Sequence, residues 1–198
     1  MKKAGLHATL QLSMKEYIET ISGLVLEHYQ RAVSDEALFR ELSMTPKEEA
    51  RFSVEYSTVL LVIAALSFKQ KPKMTSEKYL REIQDGAAKS TYQKILSDAE
   101  AEALDGCLNF FHGKLMVFEQ ICGNIYHKDA AVRQKDIIGL TRYLISQVSS
   151  RNEQELTFAL KELGILLSMA ADTFTTLIAN TVQDTVGLFS KPTFTVQK

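Results

Sequence analysis

Tryptophan is absent from this 198-residue chain, cysteine occurs twice and proline three times. Without tryptophan there is no indole to stack on a nucleobase or to anchor at a bilayer interface. Cys107 and Cys122 are fifteen residues apart. On one helix that separation is about 22 Å, far beyond the roughly 7 Å that a disulfide allows. Free thiols suit a reducing, cytoplasmic setting. Lys2 and Lys3 are followed by Gln11, Ser13, Lys15 and Glu16, which interrupt too early for the apolar core of a secretory signal.

Neither sign of charge dominates. The 23 Lys and Arg against 24 Asp and Glu leave a net charge of −1, so no global field draws the chain to nucleic acid or anionic lipid. The local distribution is uneven. Lys69, Lys71, Lys73, Lys78, Arg81, Lys89 and Lys94 form a basic stretch, and Asp98, Glu100, Glu102 and Asp105 follow without a cation. The acids read as the negative charge favoured at a helix N-terminus.

Motifs of catalysis are missing as well. There is no Walker loop, dinucleotide fingerprint, Gly-x-Ser-x-Gly elbow or His-Glu-x-x-His. The residues three before the histidines are Ala4, Val25, Asn109 and Asn124, so the Glu-x-x-His signature of di-iron bundles is absent too. The run Val59–Leu66 is apolar on every side but eight residues long, short of the about 20 needed to cross a bilayer. It reads as part of a buried central helix.

What the chain does have is helix punctuation. In Thr45-Pro46-Lys47-Glu48, Ser97-Asp98-Ala99-Glu100 and Ser150-Arg151-Asn152-Glu153, a hydroxyl precedes a glutamate by three. The hydroxyl accepts from the amide three residues on, and the glutamate reaches back to the cap's own amide. Pro46 stands at the first helical position, where its missing N–H costs nothing. Helices are expected over Leu12–Val33, Asp35–Leu42, Thr45–Lys69, Ser76–Ser97 with a break at Asp85-Gly86, Asp98–Tyr126, Asp129–Ser149 and Asn152–Phe189. Leu104, Leu108, Phe111, Leu115, Phe118, Cys122 and Ile125 make a heptad seam. The last and longest helix carries Leu156, Leu160, Leu163, Leu167, Ala170, Phe174, Leu177, Thr181, Asp184 and Leu188 in the same four-three steps, and its length predicts that it bends, breaks near Gly164 or projects from the domain. The expectation is an all-α, single-domain bundle of six to eight helices over residues 1–189, with an extended tail over 190–198.

Few residues offer chemistry. Cys107-Leu108-Asn109-Phe110-Phe111-His112 is echoed by Cys122-Gly123-Asn124-Ile125-Tyr126-His127. Cys and His five apart on a helix diverge by about 140°, so no metal site is expected, and no cofactor. His28, at the edge of the first apolar face, is a candidate pocket acid or base. His112 and Glu119 share one side of their helix. Ser168, Asp172, Thr176, Asn180 and Asp184 form a polar stripe on the last helix without Lys or Glu, with Asp184 on the seam as a register-setting charge. His28, His112, Glu119, Asp172, Thr176 and Asn180 are thus the candidate ligand-binding residues, and catalytic residues are not expected.

Leu163, Ile165, Met169, Ile178, Val182 and Asp184 are the candidate interface, because the last helix has more apolar width than one neighbour covers. The expected function is a non-enzymatic, self-associating interaction protein: a homodimer that regulates, adapts or inhibits another protein. The alternative is a sensor of an apolar small molecule or lipid held between helices. Nucleic acid is not an expected partner, and membrane insertion is disfavoured.

Overall fold

The computed structural model describes residues 9–68, 77–96, 101–149, 151, 153–184 and 193–197. The fold is an all-α bundle. Among the described residues there are seven α-helices: α1 (Met14–Val33), α2 (Glu36–Leu42), α3 (Pro46–Phe68), α4 (Glu77–Ile95), α5 (Ala101–Ile121), α6 (Ala130–Val148) and α7 (Thr157–Ala179). A 3-10 turn at Glu153–Glu155 precedes α7.

Helix α3 is the axis. Every residue from Glu55 to Phe68 is buried, and α1, α4, α5, α6 and α7 all pack against it. Burying a Leu, Ile or Val side chain contributes about 1.5–3 kcal/mol, and α3 buries an unbroken run of them from Val59 to Ile63. The hydroxyls in this dry helix are satisfied locally. Ser57 donates to the Ser53 carbonyl at 2.6 Å, Thr58 to that of Val54 at 2.6 Å, and Ser67 to that of Ala64 at 2.6 Å. Turning the hydroxyl back onto its own helix removes the cost of burying it unpaired.

The caps show which starts are local. At Thr45 the box is made: its amide donates to Glu48 Oε2 at 2.8 Å, and the Glu48 amide stands 3.4 Å from its hydroxyl. A further box of the same spacing, Ser13 to Glu16, opens α1. Asp35 and Asp129 cap α2 and α6. The expected boxes at Ser97 and Ser150 lie, in whole or part, outside the described residues. Helix α7 starts at Thr157, later than the expected Asn152. Leu156 offers it no side-chain cap, and the amides of Phe158 (3.3 Å) and Ala159 instead donate to the carboxylate of Glu41 in α2.

Three expectations need correction. Helix α4 runs through Asp85-Gly86 without a break. Gly86 is there for closeness: a Cβ at this position would lie 2.6 Å from Ile18 Cδ1, so the glycine lets α1 and α4 approach. Helix α5 ends at Ile121, and Cys122 begins the turn into α6. The long last helix continues through Gly164 without a break but stops at Ala179, and Thr181–Asp184 form a strand. Thr181 and Val182 are β-branched, stiff at χ1 and better suited to a strand. Here β1 (Thr9–Leu12), β2 (Thr181–Asp184) and β3 (Thr193–Gln197) form an antiparallel sheet in the order β1-β3-β2. Leu10 stands opposite Val196, and Val182 opposite Thr195. Asp184 therefore pairs with Thr193 across the sheet and is not a charge on a helical seam.

Two glycine substitutions test the close approach. Gly86→Ala is expected to stabilise less than the same change at an open helical glycine, because displacing Ile18 offsets the helix-propensity gain of about 0.5–1 kcal/mol. Gly23→Ala, where nothing lies within 4 Å of the new methyl, is expected to raise stability by about 0.5–1 kcal/mol through helix propensity alone. Thermal denaturation followed by circular dichroism reads both, and equal shifts of one sign would contradict the packing account.

Candidate functional site

The candidate ligand-binding residues do not converge. His28, on α1, is buried with its Nε2 3.1 Å from Thr173 Oγ1 of α7. Thr173 already donates its proton to the Met169 carbonyl at 2.9 Å, so the hydroxyl accepts and His28 carries its proton on Nε2. Nδ1 is left buried without a partner among the described residues. Burial, reinforced by the Arg31 charge, pushes the imidazole below its ordinary 6.5. His28 is a histidine of the helix–helix contact.

His112, on α5, faces Asp85 of α4, with Nε2 3.0 Å from Oδ1. No aligned hydrogen bond joins them, and both side chains are partly exposed. Glu119 is half-buried on the same helix. Asp172 and Thr176 are exposed on α7, and Thr176 turns its hydroxyl onto the Asp172 carbonyl at 2.9 Å. Asn180 closes α7, its amide donating to the Thr176 carbonyl at 3.0 Å. The polar stripe is a solvent face at Asp172 and Thr176. The repeated Cys and His residues separate likewise. Burial and then Asp136 push the Cys122 thiol up to about 12, and His127 Nδ1 accepts from the Asp129 amide at 3.1 Å. Among the described residues, no three His, Cys, Asp or Glu side chains gather closely enough to hold a metal ion.

One buried charge cluster went unforeseen. Glu55, the only charged residue between Phe52 and Phe68, meets Lys114 of α5 at 3.5 Å and the Tyr143 hydroxyl of α6 at 3.4 Å. Lys114 also donates to the Tyr143 oxygen, and its ammonium lies 4.7 Å from the ring centres of both Phe110 and Tyr143. With the edge-on contact of Phe118 and Tyr143, ring centres 4.9 Å apart, this cluster ties α5 and α6 across α3. It is closed by its own partners, which fits a structural role.

The open surface is on α6 and α7. A groove of about 580 Å³ runs between them, lined on α6 by Ile138, Thr141 and Arg142 and on α7 by Leu160, Lys161, Gly164, Ile165, Ser168, Met169 and Asp172. Ile165 is 43% exposed and Met169 41%, and Ile138 and Phe158 are exposed to a similar degree. Of the candidate interface residues, Leu163 and Ile178 are buried in the bundle's own core and are unavailable to a partner, because they lie on the side of α7 that faces its neighbours. Ile165 and Met169 lie on the open side. Phe158 and Ile138 were not foreseen; Phe158 sits off the Leu156–Leu160–Leu163 seam, as Ile165 does, and that offset is the signal that marks it. Val182 lies on β2, off the helix.

The α7 hydroxyls add little polarity. Thr173, Thr175 and Thr176 each donate to the carbonyl four residues back, at 2.8–2.9 Å. Two other surface features stand apart. A groove of about 530 Å³ has Lys78, Arg81, Glu82, Asp85 and Lys89 about Ile18, Gly86 and Leu108, and Met116 (71% exposed), Val117 and Ile121 form an apolar patch on α5. The void beside Phe111 and Phe68 is about 10 Å³, too small for more than a water.

Lys114→Met is expected to destabilise the protein by about 3 kcal/mol in urea denaturation, since it leaves Glu55 buried with its cation removed. Adding Glu55→Gln to that variant is expected to recover part of the loss; an equal loss in both would show that the pair itself is not the cause. The lowered His28 value predicts acid sensitivity. The fold prefers the neutral ring, so its contribution is complete above the ordinary pKa and is lost as pH falls from there towards the lowered folded value. His28→Gln should therefore show a flatter melting temperature than the native chain between pH 7 and pH 5, and parallel curves would refute the assignment.

Comparison with known proteins adds no name to this surface: no family model, curated protein or solved structure matches the chain.

Proposed function

We propose that the chain is a non-enzymatic interaction protein that associates with itself through the open side of α6 and α7. One observation carries this reading. Helices α3 and α7 are both 23 residues long and apolar enough by composition to cross a membrane, yet the most apolar window of α3 is 83% buried and that of α7 only 39%. The bundle covers the apolar run of α3 completely, whereas Phe158, Ile165 and Met169 of α7 are left partly uncovered. Uncovered apolar area of this kind marks a surface for another molecule, and a two-fold dimer is the commonest way for a chain to cover it. Such a bundle suits a cytoplasmic regulator, adaptor or inhibitor, which needs a shaped surface and no reaction centre.

A second reading uses the same groove. Its apolar walls, with Arg142, Lys161 and Asp172 at the margin, have the make-up of a site for an apolar small molecule or lipid with a polar end.

Size-exclusion chromatography with light scattering, run on the full chain across the micromolar range, separates the two. Self-association predicts the mass of two chains for the native protein and of one chain for Ile165→Glu with Met169→Glu, with an unchanged circular dichroism spectrum, because both positions are exposed. A native chain that stays single throughout removes the self-association reading. A single chain that carries a bound small molecule in native mass spectrometry supports the second.

A further inference from the structure

We infer that the second copy docks in one direction: the two α7 helices lie antiparallel about a two-fold axis facing the midpoint of Leu166 and Leu167, with Lys161 of each copy against the partner's Asp172. This rests on the self-association proposed above and adds the orientation and the residues that select it.

The argument starts from helix geometry. Phe158, Lys161, Ile165, Met169 and Asp172 are all exposed on α7 and follow one another in steps of three and four, so they share one side. Lys161 and Asp172 are eleven residues apart, which places them within about 20° of one direction and about 16 Å apart along the axis. Ile165 and Met169 lie between them. The uncovered apolar segment therefore has a cation at one end and an anion at the other, on a single line. Neither Lys161 nor Asp172 makes an ion pair among the described residues.

A stripe of this kind is complementary to itself in one sense only. A half-turn about its midpoint exchanges the ends, so each Lys161 meets the partner's Asp172 while the isoleucines and methionines of both copies meet in the middle. Parallel alignment puts lysine beside lysine and aspartate beside aspartate. Charges at the rim of an interface choose orientation and exclude wrong pairings more than they add affinity. The groove between α6 and α7, floored near Gly164 and walled by Ile138, gives the incoming α7 a seat. The result is a four-helix arrangement of two α6–α7 pairs. The α5 patch lacks this pattern, since Lys114, the cation beside Met116, is committed to Glu55.

Charge reversal tests the orientation. Lys161→Asp and Asp172→Lys each turn both end contacts repulsive, and each is expected to raise the dimer dissociation constant about tenfold or more in sedimentation velocity. An equal mixture of the two variants is expected to associate as the native chain does, because every end contact between unlike chains again joins an anion to a cation. The single chain carrying both reversals should associate likewise. Added salt should tighten the single variants and weaken the native dimer. In a parallel pair each reversal merely replaces one like-charged contact by another. Single variants that associate as tightly as the native dimer therefore overturn the antiparallel orientation and leave self-association standing. A native dimer abolished by Met116→Glu and indifferent to both reversals overturns it in favour of α5. A native chain that never dimerises overturns this inference together with the reading beneath it.

Discussion

From Glu55 to Phe68 the central helix turns no face to water, and the rest of the bundle is arranged to keep it dry. A helix apolar all round is stable in water only if other helices enclose it. Helices α1, α4, α5, α6 and α7 do so, and each supplies one stripe of its own surface to the task. What those five stripes cover, and what remains once α3 is enclosed, sets both the shape of the protein and the surface it has left to offer. The enclosure also governs the polar atoms. Hydroxyls on α3 bond back to their own helix, the Tyr126 hydroxyl donates to the Ile63 carbonyl at 2.7 Å, and the Thr58 and Tyr92 hydroxyls lie 2.6 Å apart.

The one charge buried within α3 shows the same constraint at work. An isolated carboxylate in that position would be costly, and Glu55 is accompanied by an ammonium and a phenol from the two helices on that side. The cluster thus converts a liability of the central helix into a tie between α5 and α6. Helix α7 is in the opposite situation. Its inner side, with Leu163, Leu167, Ala170 and Phe174, is buried, while Ile165 and Met169 are partly exposed along the groove beside α6. The outer side mixes these two with Lys161, Asp172 and Thr176, all exposed, and the inner side is the one that meets α1, α2, α3 and α6.

Element type and order were legible because they depend on neighbours in sequence. The Thr45 box, the proline after it and the apolar run of α3 emerge as read, and the heptad seam of α5 holds from Leu104 to Phe118, where the helix is near its end. The misreadings came from contacts between distant residues. Gly86 has the local look of a helix breaker, and only the nearness of Ile18 makes it a packing residue. The four-three pattern continues through Thr181 and Asp184 as though the helix did, but a strand from residues 193–197 is there to pair with them. The start of α7 is held by Glu41, more than a hundred residues earlier. Of the candidate site residues, Ile165 and Met169 were legible as excess apolar width. Leu163 and Ile178 were not separable from them, since periodicity tells which residues share a side without telling which side is covered.

The amino-acid sequence by itself determined that this chain is helical, where most helices begin, that one of them must be central, and that the last has more apolar surface than a single neighbour takes. Those properties follow from hydrogen bonds and side-chain spacing within a few residues. Tertiary structure alone decided that α7 ends at Ala179, that Glu55 has partners, that His28 is enclosed against Thr173, and that Lys161, Ile165, Met169 and Asp172 face outward together. Each of those depends on which helices lie beside one another, and that is settled by packing around α3 between residues far apart along the chain.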